Sequence, residues 1–264
     1  MIAHNAVYTS GVQITSGSSE ESHDTRQQGG GFTWVDLYEP TEEEFDWVIR
    51  KLGLHPSVLE FAARDYRWPG VKHYYDQELL VVLKTVRYVD WTQTLEYGEI
   101  QVFLGANFIA AVRRGAASEL HNMYQLWLAE REGDWLLREP TMVLDLIADG
   151  VVDGYSLAVV GLQNSLDKMR SEISEDPNNA LHRIYGLYGM ATYLRTEARS
   201  LARLLKRLTE EGSSNIDSER GWYLCNVRAH LQRVMDNIEG CCDLLSSILR
   251  IGSASASMKK YKLW

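Results

Sequence analysis

From Leu224 onward the apolar residues of this chain fall at Leu224, Val227, Leu231, Val234, Ile238, Cys241, Leu245 and Ile248, at intervals of 3, 4, 3, 4, 3, 4 and 3. That is a heptad seam, narrower than the apolar stripe of an ordinary surface helix. Drawn from Ser218 to Ile251, such a helix would be about 50 Å long at 1.5 Å per residue, more than a compact domain needs. The pattern predicts a stop near Gly252, ahead of the small residues Ser253, Ala254, Ser255, Ala256 and Ser257. The basic and aromatic end that follows, Lys259, Lys260, Tyr261, Lys262 and Trp264, is the kind of flank found beside a membrane span.

The rest of the chain must supply partners for that seam. With 264 residues and 45% hydrophobic content, a core in one large domain or two modest ones is within reach. No run of the roughly 18 apolar residues that a membrane helix requires occurs, so the chain reads as soluble. A net charge of −9 argues against a nucleic-acid surface and is compatible with cations. Cys225, Cys241 and Cys242 all fall on the last helix and read as reduced packing cysteines without a disulfide framework or metal motif. Met1-Ile2-Ala3-His4 lacks the start of a signal peptide.

In chain order, residues 1–30 read as a flexible tail rich in Ser and Gly. Residues 31–140 alternate strands and helices. A strand is expected at Phe32–Leu37, followed by a helix with a Thr41–Glu44 capping box and an apolar stripe of Phe45, Val48, Ile49 and Leu52 ending at Gly53. A short helix from His55-Pro56, a doubly covered strand between Val71 and Tyr88, and strands Glu99–Leu104 and Phe108–Val112 around a three-residue Gly105-Ala106-Asn107 connection are expected next. A helix over Ala117–Arg131 closes this part. Residues 141–264 read as three long helices, Thr141–Glu175 ended by Pro177-Asn178-Asn179, Leu181–Leu208, and the seam helix, with antiparallel neighbours. The fold class is therefore α+β: an α/β/α layered amino-terminal domain followed by a bundle of long helices ending in a stalk.

Chemistry is sparse. The sequence has no phosphate loop, no GxGxxG, no HExxH and no GxSxG, and its seven histidines are scattered, so no catalytic residue and no enzyme is indicated. Asp145, Asp149 and Asp153 repeat at four residues, which puts three carboxylates on one helical face. Such a face is satisfied by solvent, by arginines such as Arg183, Arg195, Arg199, Arg203, Lys206 and Arg207 on the next helix, or by a hard divalent cation.

Taken together, Trp34-Val35-Asp36-Leu37 with Pro40-Thr41, Leu52-Gly53-Leu54-His55-Pro56, the Pro69–Val71 turn, Leu104-Gly105-Ala106-Asn107-Phe108, and the segment Leu146 to Tyr155 resemble the CorA-type divalent metal ion transporters in order and spacing. The resemblance implies a cytoplasmic domain whose last long helix is the stalk leading to the first membrane span. It also implies a homopentamer at the cytoplasmic face of the membrane, with magnesium bound between protomers restraining the pore. No Gly-Met-Asn selectivity triplet occurs here, and Met258-Lys259-Lys260 is similar to the residues just before the first span, so the chain is expected to stop ahead of it. The family's regulatory carboxylates on the stalk correspond to Asn226 and Ala229, with His230 retained; a turn acid corresponds to Val89 beside Asp90, and Asp149 matches the acidic position of the earlier helix. Asp90, Asp149, Asn226 and His230 are the metal ligands the resemblance implies, for Mg2+ with Co2+ or Zn2+ as alternatives. A soluble helical adaptor with no metal role is the competing reading.

Overall fold

The computed structural model describes residues 1–9, 12–16, 31–55, 69–75, 78–118, 138–172, 177–211 and 218–261. Seven strands form one mixed sheet: β1 (Ile2–Thr9), β2 (Val12–Ser16), β3 (Phe32–Tyr38), β4 (Gly70–Tyr75), β5 (Glu78–Val89), β6 (Thr94–Gly105) and β7 (Phe108–Arg114). Their spatial order is β2-β1-β3-β7-β6-β5-β4, with β3 and β7 parallel and every other neighbour antiparallel. Among the described residues, four α-helices accompany them: α1 (Glu42–Leu52), α2 (Pro140–Glu172), α3 (Pro177–Glu211) and α4 (Ser218–Tyr261). This is an α+β fold.

Local chemistry explains most of these elements. The Thr41 side chain accepts from the Glu44 amide while the Glu44 carboxylate accepts from the Thr41 amide, and Gly53 closes α1 in the left-handed conformation at φ 67°. Strand β5 alternates between two cores. Leu80 and Val82 join Phe45, Val48 and Leu52 of α1 on one face, whereas Val81 and Leu83 join the long helices on the other. Both faces are therefore covered, as its unbroken apolar run implies.

Several boundaries differ from expectation. The tail expected over residues 1–30 begins instead with two strands: β1 lies between β2 and β3, and Ala6, Val7 and Tyr8 are buried. The apolar residues of Ala6-Val7-Tyr8 are few, but pairing along β3 gives their backbone groups partners as well. The Val71–Tyr88 run is two strands, β4 and β5, rather than one. Gly105 pairs directly with Phe108, so the β6–β7 connection has two residues, and a Cβ on Gly105 would lie 2.3 Å from the Phe108 ring. Pro177 opens α3 instead of separating it from α2, a position where its missing amide costs no helical bond. Helix α4 runs through Gly252 to Tyr261, about 66 Å at 1.5 Å per residue over its 44 residues. The expected helices after His55 and over 119–131 lie outside the described residues.

The long helices pack on the sheet and on each other. Glu239 of α4 accepts from Arg195 (3.2 Å) and Arg199 (2.7 Å) of α3, and Arg203 and Lys206 line one groove with Cys225 and Arg228 further along, so α3 and α4 are antiparallel. Tyr223 reaches Asp149 and His230 reaches Asp153, so α2 and α4 run parallel. The seam residues Val227, Leu231, Val234, Ile238, Cys241 and Leu245 are buried in one apolar cluster with Ile147, Val151, Leu162, Leu187, Leu194 and Leu201. Among the described residues, no helix is long and apolar enough to cross a membrane.

Candidate metal centre

Helix α2 is held tightly against β5. A Cβ on Gly161 would lie 2.3 Å from the Tyr88 ring, so only glycine permits this approach, and the Tyr88 hydroxyl is 2.6 Å from Ser165 Oγ one turn on. The Tyr155 hydroxyl donates to the Lys84 carbonyl at 3.2 Å. With its inner face fixed in this way, α2 presents Asp149 and Asp153 toward α4.

There the chain brings together Asp149, Asp153 and His230, with one ligand atom of each within 4.8 Å of the others. His230 Nδ1 stands 3.6 Å from Asp153 Oδ1, and the Tyr223 hydroxyl donates to Asp149 Oδ2 at 2.7 Å. Desolvation is the largest influence on Asp153 and raises its pKa; the neighbouring Asp149 charge raises it further, and His230 partly opposes both. The His230 and Asp153 side chains are 27% and 47% exposed, so the cluster opens to solvent.

Two carboxylate oxygens and an imidazole nitrogen are donors of the kind that divalent cations take. Opposite ligands of an octahedral ion at about 2.1 Å stand about 4.2 Å apart, so a spread of 4.8 Å needs only a small closure, with water filling the other positions. The imidazole suits cobalt or zinc better than a set of oxygens alone would.

Of the residues expected as ligands, Asp149 and His230 meet. Asn226 is exposed on α4 one turn before His230. Asp90 is outside the cluster, exposed in the β5–β6 turn, yet it lines the same groove of about 400 Å³ as Asp153. Val89, at the family's acidic turn position, is buried. Asp153, marked in the sequence only by the four-residue repeat, joins the site, as does Tyr223, which no motif marks. Asp145, the third member of that repeat, is buried instead.

A family model described as "CorA-like Mg2+ transporter protein" matches residues 29–257. The chain belongs to this family. It is 22% identical over 208 residues to the cobalt/magnesium transport protein CorA of Thermotoga maritima, an alignment covering 78% of this chain and 59% of that protein. The chain thus spans less than two thirds of that relative's length. In structure it is similar to the soluble domain of CorA from Methanocaldococcus jannaschii, with a TM-score of 0.77, 15% identity, and 95% of this chain and 96% of that one covered. It is also similar to the ZntB cytoplasmic domain of Vibrio parahaemolyticus, with a TM-score of 0.71, 11% identity, and 96% and 98% covered. At these identities the structural likenesses speak for the fold. They agree with the α+β reading, and the family is one of transporters.

Proposed function

We propose that this CorA-family chain is the cytoplasmic regulatory part of a divalent cation transporter whose cargo is Mg2+, Co2+ or Zn2+, and that Asp149, Asp153 and His230 hold a regulatory cation. The observation that carries this reading is the convergence of those three ligand atoms within 4.8 Å on two long helices. A cation there would neutralise the Asp149–Asp153 repulsion and tie α2 to the first third of α4, the helix that runs on as the stalk. In a homopentamer at the cytoplasmic face of the membrane, Asp90 and Asn226, both exposed, would complete the shell from a neighbouring protomer. Binding then favours one arrangement of the stalks over another by its differential affinity.

Calorimetric titration of Mg2+, Co2+ and Zn2+ into the chain, with sedimentation velocity at matched concentrations, tests the reading. Saturable binding is expected, weakened about tenfold or more in Asp149→Ala and Asp153→Ala, since each removes a charged ligand. Affinity should also fall as pH drops, because the raised pKa of Asp153 lets a proton compete earlier than at an ordinary aspartate. Absence of binding at millimolar ion, with dimers indifferent to cations, would replace the sensor with the adaptor reading.

A further inference from the structure

The basic residues of α3 do not share one fate. Arg195 and Arg199 are both taken by Glu239, and Arg207 donates to the Val71 carbonyl at 3.3 Å. Arg203 and Lys206 instead face Arg228 of α4 across a groove of about 580 Å³. Arg203 donates to its own helix at Ser200 Oγ, 2.8 Å away, and among the described residues Lys206 is paired with the exposed Glu210, 3.6 Å away on the next turn. Among the described residues Arg228 has no hydrogen-bond or ion-pair partner, and none of the groove's described lining residues is acidic.

Three cations gathered between two antiparallel helices repel one another, in a chain whose net charge is −9. The three cationic side chains are exposed, Leu231 and Met235 form the apolar part of the groove lining, and Gln232 adds an amide donor. A volume of about 580 Å³ is the size of a small-molecule site rather than of a helix footprint. Guanidinium forks match the paired oxygens of a phosphate, and a lysine adds a point charge.

We infer that the α3–α4 groove binds a small anion carrying two or more phosphate groups, held by Arg203, Lys206 and Arg228. The inference is independent of the metal reading, because it uses neither Asp149, Asp153 nor His230. It also places the anion against the opposite side of α4 from His230, where it would lock α3 to the first half of the stalk.

Cys225 provides a direct readout. It is an exposed thiol lining the groove, whereas Cys241 and Cys242 are buried, so alkylation by a maleimide reports on this site. The probe is pyrophosphate in buffer stripped of divalent ions. Pyrophosphate is expected to bind saturably by calorimetry and to slow Cys225 alkylation. Both effects should weaken about tenfold or more in Arg203→Gln/Arg228→Gln, which removes two charge-assisted contacts. Arg233→Gln, an exposed cation of α4 outside the groove, should change neither. Circular dichroism and retained Cys241 and Cys242 protection check that the double variant is folded. Binding that is equal in the double variant, or absent in the parent, overturns the inference. Capture by phosphatidic acid vesicles without pyrophosphate binding overturns it in favour of a lipid headgroup. Self-association lost in the double variant, again without pyrophosphate binding, overturns it in favour of a second copy of this chain.

Discussion

Two groups of charges in this molecule show opposite solutions to the same problem. At the sheet, Arg113 Nε donates to Asp36 at 2.9 and 3.1 Å, its Nη2 donates to Asp36 at 2.8 Å, and its Nη1 donates to the Ser118 carbonyl at 2.8 Å. The two side chains are 2% and 0% exposed, and every charge has a fixed partner. Between α2 and α4, Asp149, Asp153 and His230 are half open, and the two carboxylates carry charge of the same sign. The first arrangement is complete and fixes β3 against β7. The second is left electrostatically incomplete, which is the condition under which a bound cation adds most. Completeness of partners, more than the number of charges, separates a structural ionic site from a candidate binding site.

The sharpest way to break this contrast is to cut the sheet pair. Asp36→Ala leaves the Arg113 guanidinium buried without its carboxylate, and is expected to lower stability by about 3–5 kcal/mol in urea unfolding. Replacing both, as Asp36→Leu/Arg113→Met, should recover most of that loss; a double variant no better than the single would mean that the pair itself carries the stability.

A smaller effect of opposite sign is expected at Glu197. This carboxyl is 2% exposed, its Oε2 has no hydrogen-bond partner, and burial raises its pKa while Lys84 opposes. The folded state therefore keeps the proton to higher pH than the unfolded chain, and the associated stability is lost as pH rises through the folded value. Glu197→Gln should equal or exceed the parent at pH 8, by about 1 kcal/mol, with the advantage shrinking toward pH 4. A parent that remains the more stable at pH 8 would show that the ionised carboxylate is satisfied.

At the helix cluster the same sign applies to Asp153, diluted by solvent. Asp153→Asn should raise the free energy of urea unfolding at pH 7 by no more than a few tenths of a kcal/mol, and by nothing near pH 4. A loss at pH 7 would place this aspartate with the structural pair. A comparably small change, a loss, is expected from Glu239→Gln, which takes the carboxylate from half-buried Arg195 and exposed Arg199, at a few tenths of a kcal/mol and less in high salt.

Much of this was legible from residue order alone. The capping box at Thr41 and Glu44, the apolar run of β5 and the heptad intervals from Leu224 to Ile248 are local signals, because a helix repeats every 3.6 residues and a covered strand has no polar face. The α+β class and the three long helices follow from them. Where each helix stops was less legible. Pro177 and Gly252 are breakers only in certain positions; Pro177 is harmless at a first turn, and α4 continues through Gly252.

The candidate site divides in the same way. The four-residue repeat of Asp145, Asp149 and Asp153 fixed a shared helical face, and the resemblance marked Asp149 and His230. Which carboxylate meets His230 depends on the register between α2 and α4, set by apolar contacts some 75 residues apart in the chain. That register brings Asp153 to His230, gives Asp149 to Tyr223, buries Asp145, and leaves Asp90 and Asn226 facing outward. It likewise divides the basic row of α3, giving Arg195 and Arg199 to Glu239 and leaving Arg203 and Lys206 opposite Arg228. The sequence by itself determined the elements and the faces they carry, since periodicity acts within a few residues. Only the tertiary structure decided which faces meet, because distances between side chains on different helices depend on how the whole core closes.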